Sequence, residues 1–302
     1  MINVDSLIKK SDTDNTAAIL YAAQYDDVKF SNSDYLFNGE IQIKANQRFD
    51  FGGARLRHTD SSKVMFTANQ VDGWSFVGDP TLQGTLIARG SANEKGLLVI
   101  GCNRYLVSGL TAQLFLGIGV YIQPGIMSRY KSDQGNWERL SVYENMMGLQ
   151  VDAGTGAEYD TFTNFKAIGN IYSAQIAAGN TQFTGGSINE NDYGPFLVGG
   201  SNNSHGFMTG MNINHNTFDS LRADGVSYGY TLTGCHIYGG GANGGYVRFM
   251  NGSTNVCFNG GIIDAPVIHD SVGTNRIIGM QRDPNFSVGG TNPAGFIQVN
   301  TY

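Results

Sequence analysis

The chain has 302 residues, of which 42 are Gly, 28 Asn and only 6 Pro, and it carries a formal net charge of −6. Charged residues make up 15% against a usual ~25%, and no Ala/Glu/Lys/Leu periodicity supports a helix bundle or coiled coil; a hydrophobic share of 41% in turn excludes a disordered chain. The 19 Lys and Arg residues form no cluster that would track a phosphate backbone, and no apolar run reaches the ~18 residues of a membrane-spanning helix.

From the N-terminus, Met1 to Ser11 holds two lysines but no apolar stretch, so no signal peptide is expected. Asp14 and Asn15 then stand where an N-cap belongs, ahead of a short amphipathic helix over Thr16–Ala23 that can cover the open end of a stack of strands. Val28–Phe30, Tyr35–Phe37 and Ile41–Ile43 alternate apolar and polar residues and read as the first strands.

From residue 49 onward a nine-residue pattern recurs. It runs apolar, any, Gly or a substitute, two of any type, apolar, two of any type, and often Asn or Gly. Copies begin at Phe51, Phe76, Val107, Leu140, Phe162, Phe183, Met208, Leu232 and Phe258, with a mean spacing near 26 residues. A second alternating segment precedes most copies, as in Gly148–Gly154, Ser173–Gly179, Gly194–Gly200, Ser220–Gly225 and Gly245–Asn251. Gly and Asn at the junctions accept the positive φ of tight turns, which accounts for the composition. Units this short cannot bury a face alone and must stack. The predicted fold is therefore all-β, a right-handed parallel β-helix of about nine rungs, in preference to a sandwich or propeller. Residues 1–48 form the cap helix and first strands, 49–265 the helix proper, and 266–302 a final rung with a C-terminal cap or oligomer-contact segment. Ile188, Ile213, Ile237 and Ile263 are predicted to form an inward column, and Asn170, Asn191 and Asn216 a ladder of amides. Cys102, Cys235 and Cys257 lack metal-ligand spacing and read as free thiols that are mostly buried; no metal or cofactor is expected.

The entry D-N-T-A-A-I over Asp14–Ile19, followed by V-x-F, Y-x-F, I-x-I and the G-A-x-L rung at Gly53–Leu56, resembles the pectate-lyase-like β-helix superfamily. Low charge with high Gly and Asn makes bacteriophage tailspikes the most similar branch. The resemblance implies a homotrimer in a phage tail, acting outside the host cell on a bacterial surface polysaccharide, with other tail proteins for attachment and neither nucleic acid nor membrane insertion. Two departures stand out. Lys10–Thr13 replaces the usual G-D-G before the cap helix, and in place of a separate particle-attachment domain ahead of it the expectation is that one was removed or that a partner protein attaches the chain.

Strand alternation projects the outward columns. Gln150, Gln175, Phe196, Arg222 and Arg248 share one column, Asp152, Ala177, Val198, Asp224 and Met250 the next, and Glu190 shares a register position with His215. A glycosidase needs two carboxyl groups, ~5–5.5 Å apart if retaining and ~6.5–9.5 Å if inverting, which is one or two rung spacings. Glu190 with Asp192, and Asp219 with Asp224, are the candidate catalytic pairs. Trp137, His215, Arg222, Tyr228 and Arg248 are the candidate substrate-binding residues. Trp137 closes a long insertion from Gln123 that could frame a groove. The expected activity is polysaccharide depolymerisation, with hydrolysis favoured; a lyase and a non-catalytic adhesin on the same fold stay open.

Overall fold

In the computed structural model, the described residues are 1–302 without 10–11, 32, 60–62, 89–93, 126–131, 134, 154–156, 200–204 and 240–244. Lys10 and Ser11, residues 126–131 and 134 of the Gln123–Trp137 insertion, and Ser204 therefore lie outside the described residues. Among the described residues all strand pairings between rungs are parallel, and the strands form a long bent sheet, a second sheet of 11 strands and a short pair, Ser132–Asp133 with Ala157–Glu158. This is the expected all-β parallel β-helix, with about 11 turns in place of nine.

The extra turns come from the two ends. Ile41–Ile43 pairs with Val64–Asn69 and starts the 11-stranded sheet. Pro266–His269 and Ser287–Gly289 end that sheet, and Asn275–Ile278 and Phe296–Val299 continue the bent one. Residues 266–302 thus add turns of the same helix, although their Gly and Asn spacing no longer repeats. At the other end, Thr16–Ala22 forms the cap helix. Its N-cap residue Asn15 turns its side chain outward to accept from Leu36 N–H at 2.8 Å, while Asp14 accepts from Thr16 N–H at 2.7 Å.

The core is built in columns. Ile188, Ile213, Ile237 and Ile263 are Cα partners on successive rungs, and all are buried. A parallel column runs Phe76, Val107, Trp137, Phe162, Phe183, Met208, Leu232 and Phe258. Burying each such side chain contributes roughly 1.5–3 kcal/mol. Between this column and the isoleucines the strand bends at residues of positive φ. At Gly186 (φ 109°) an added Cβ would lie 2.0 Å from Phe165 O, so the close approach of rungs there requires glycine.

The amide ladder is present and begins one rung earlier than predicted. Asn145 Nδ2 donates to Asn170 Oδ1 at 2.9 Å, Asn170 to Asn191 at 2.9 Å, and Asn191 to Asn216 at 3.0 Å. Each Oδ1 also accepts the backbone N–H of the rung before it. These buried amides satisfy the corner that leads into the 11-stranded sheet. Cys102 and Cys235 are buried and Cys257 is half-buried; all three are free thiols.

Candidate functional site

The corner and the ladder set the register of everything that follows. Tyr172, Tyr193 and Phe218 each come two residues after a ladder Asn, and their rings stack along the helix axis. Centroids are 4.9 Å apart for Tyr172–Tyr193 and 5.1 Å for Tyr193–Phe218, close to the ~4.8 Å rung spacing. Met146 and Ile171 extend the exposed apolar strip along the same corner.

Behind the rings lies the predicted column. Gln150, Gln175, Phe196, Arg222 and Arg248 are Cα partners in that order. Tyr172, Tyr193, Gly194, Phe196, Asp219 and Arg222 line a recess of about 90 Å³. Asp219 is 3% exposed and accepts from Arg248 Nε at 2.5 Å. Its burial raises the carboxyl pKa above the usual range, against the opposing pull of Arg248 and then Arg222. Arg222 lies over the Phe196 ring at 4.7 Å and donates through Nη2 to Asp224 Oδ2 at 2.8 Å. Arg248 lies over Tyr246 at 4.6 Å. At the N-terminal end of the same face Tyr121 O–H donates to Asp152, which also accepts from Gln150 Nε2 at 2.7 Å. Burial first, and then the bond to Asp152, push the Tyr121 pKa up to about 12.

The expected site residues distribute unevenly over this geometry. Arg222, Arg248, Asp219 and Asp224 share one face. Asp219 and Asp224, however, sit at opposite ends of the strand Asp219–Asp224, with Cα atoms roughly 15 Å apart, too far for a glycosidase pair. Asp192 is a better neighbour for Asp219. Tyr193 and Asp219 are Cα partners, so Asp192 is one residue out of register on the adjacent rung, about 6 Å between Cα atoms. Glu190 and His215 do occupy equivalent positions, each at positive φ directly before a ladder Asn. Both are exposed on the corner, and His215 packs against Tyr238 at 5.1 Å. Tyr228 is 69% exposed beyond the far end of the Asp219–Asp224 strand, edge-on to His205.

Trp137 is a correction. It is 0% exposed, an inward residue of Asn136–Glu138 stacked on Phe162 at 5.5 Å, and cannot meet a ligand. The repeat there starts at Trp137 rather than Leu140, because Arg139 (φ 55°) takes the left-handed position that Gly or Asn holds in other copies. Trp74 is buried as well, stacked on Tyr105 at 4.7 Å. Among the described residues no three His, Cys, Asp or Glu side chains gather as a metal ion would need, and no helix is long and apolar enough to cross a membrane.

No protein-family model matches the chain, and no curated protein sequence does. Solved structures do. The mannuronan C-5 epimerase AlgE4 A-module of Azotobacter vinelandii superposes with a TM-score of 0.70 at 14% identity, covering 99% of this chain and 95% of the module. The AlgE6 A-module of the same organism gives 0.70 at 16% identity over 96% of this chain and 89% of the module. The tailspike of the E. coli bacteriophage HK620, solved with a pentasaccharide, gives 0.54 at 12% identity over 96% of this chain and 67% of the tailspike. At these identities the likeness is one of fold, and it places the chain among parallel β-helices.

Proposed function

We propose that this protein binds a bacterial surface polysaccharide, a capsule or O-antigen, along the outward face of its 11-stranded sheet and cleaves it as an endo-glycosidase. The observation that carries the reading is the stacked row Tyr172, Tyr193 and Phe218 beside a recess that holds a buried carboxyl. Sugar rings offer flat C–H faces that pack on aromatic rings, and a small number of fixed polar groups then orient them. Asp219, whose carboxyl pKa burial raises, is the acid of the reaction. Asp192, half exposed on the adjacent rung, is its partner as base or nucleophile.

A non-catalytic adhesin is the second reading, supported by the Arg248 contact that already occupies one oxygen of Asp219. Incubation with purified capsule or O-antigen separates the readings. New reducing ends without an unsaturated product support hydrolysis, ultraviolet absorbance from an unsaturated product indicates a lyase, and binding with neither indicates an adhesin. Placement in a phage tail, outside the host cell and attached through other tail proteins, belongs to the same proposal and is supported by the resemblance of the cap segment. So does a homotrimer, which sedimentation equilibrium tests by returning three times the chain mass or not.

A further inference from the structure

Resting on that reading of the face, we infer that the glycan it takes is uncharged. Between Tyr121 and Arg248 the face carries two cations among its described residues, Arg222 and Arg248, on adjacent rungs; Lys95 lies on the rung before Tyr121. Each arginine already has a carboxyl partner within the chain. Arg222 is paired with Asp224 at 2.8 Å and Arg248 with Asp219 at 2.5 Å. Each guanidinium is also seated over a ring, Phe196 and Tyr246 respectively, so it is held where its own acid is. Asp224 is further fixed by Asn251 Nδ2 at 2.6 Å, and Asp152 adds a third carboxylate to the face. With the Asp219 carboxyl protonated for its role as the acid, the two arginines still face Asp152, Asp192 and Asp224, one negative charge in excess, on a chain whose net charge is already −6.

A uronate or sialate repeat laid along this surface would have to break an existing ion pair or lie beside an unbalanced carboxylate. Either costs affinity, because like charges in contact are not screened by salt as distant ones are. A hydroxyl-rich neutral chain meets no such penalty. Each guanidinium has five N–H donors, one of which is engaged with its acid, so donors remain for hydroxyl oxygens. Gln175 supplies neutral donor and acceptor groups further along, and the ring row supplies apolar contact. From Tyr121 to Arg248 the face spans five rung steps, about 24 Å, enough for several sugar units in line with the helix axis.

The test uses the full chain and a panel of purified bacterial surface polysaccharides, neutral and uronate-containing. Each acidic member is also presented after its carboxyl groups have been reduced to alcohols. We expect the bound members to be neutral ones or reduced forms, with affinity changing less than about twofold between low and high NaCl. An acidic polymer that binds more tightly than its reduced form, and that weakens about tenfold or more with salt, overturns the inference. Tyr193→Ala run in parallel separates this failure from a failure of the site. If Tyr193→Ala abolishes binding of that acidic polymer, the face stands and the uncharged ligand alone is refuted. If Tyr193→Ala leaves all binding unchanged, or no member binds the parent chain, the face is not the site and the inference falls with it.

Discussion

Arg248 reaches from one rung to the next to donate through Nε to Asp219 Oδ1 at 2.5 Å, and this bond joins the ring row to the charged end of the same face. Asp219 nevertheless keeps a raised pKa, because burial outweighs the arginine. The folded protein thus holds this proton more tightly than the unfolded chain does. The resulting stabilisation is complete at low pH and is lost as pH rises through the folded value. Asp219→Asn should flatten that part of the stability profile, measured as Tm against pH across the acid range, and should abolish reducing-end release while glycan binding persists. Full turnover in Asp219→Asn would remove it from the chemistry.

Tyr193 is the middle ring of its row, with a partner on each side. Tyr193→Ala should weaken glycan binding by about tenfold, equivalent to about 1.4 kcal/mol, in isothermal titration calorimetry. The melting curve should move little, since Tyr193 is only half-buried.

Trp137 makes the opposite prediction. Trp137→Phe removes volume from the inward column and should lower stability by about 1–3 kcal/mol in urea unfolding, with glycan affinity unchanged. A loss of affinity without a loss of stability would return Trp137 to the binding surface.

Asn191 accepts from both Asn170 N–H and Asn170 Nδ2 and donates to Asn216 Oδ1 and Ala167 O, all within 3.0 Å. Asn191→Ala would strand the buried Asn170 N–H at about 1–3 kcal/mol, whereas Asn170 Nδ2 keeps Val142 O and Asn216 Oδ1 keeps the residue-191 N–H. The ladder also fixes where Tyr193 and Phe218 emerge. Denaturant unfolding should therefore show the cost directly, and calorimetry a weaker glycan.

His269 lies fully buried between Phe249 and Phe296 under the last turn, with Nε2 3.0 Å from Asn275 Nδ2. Burial lowers its pKa, opposed in part by backbone hydrogen bonding at Asn292 and at His269 itself and then by Asp270. The unfolded chain therefore binds this proton more readily, so stability is full above the ordinary histidine range near ~6.5 and falls as pH drops below it. Melting should occur at lower temperature at mildly acidic pH than at pH above 7, and His269→Gln should reduce the difference.

The columns of this fold were readable because strand alternation and Gly/Asn corners act together. Gln150 to Arg248 and Asn170 to Asn216 follow from counting residues after each corner. Where a corner is made by another residue type, counting fails, as at Arg139, and Trp137 is then assigned to the wrong side of the chain. Ile41–Ile43 was legible as a strand and residues 266–302 as one final rung, but the full number of end turns was not, because Ile41–Ile43 and Ser287–Gly289 lack the Gly/Asn spacing while pairing to a neighbouring rung keeps them in the sheet. The ring row was not picked out, although each ring follows a ladder Asn by two residues, because Phe218 is not the Cα partner of Tyr193. In sequence register Asp219 lies beside Tyr193, yet it is the Phe218 ring that stacks there, leaving Asp219 to turn into the recess.

The most direct test is a crystal structure of the protein with an oligosaccharide from a polysaccharide it binds. The account predicts sugar rings laid on Tyr172, Tyr193 and Phe218, within hydrogen-bonding distance of Asp219 and Gln175. Sugar density on the bent sheet instead, with this face bare, would contradict it.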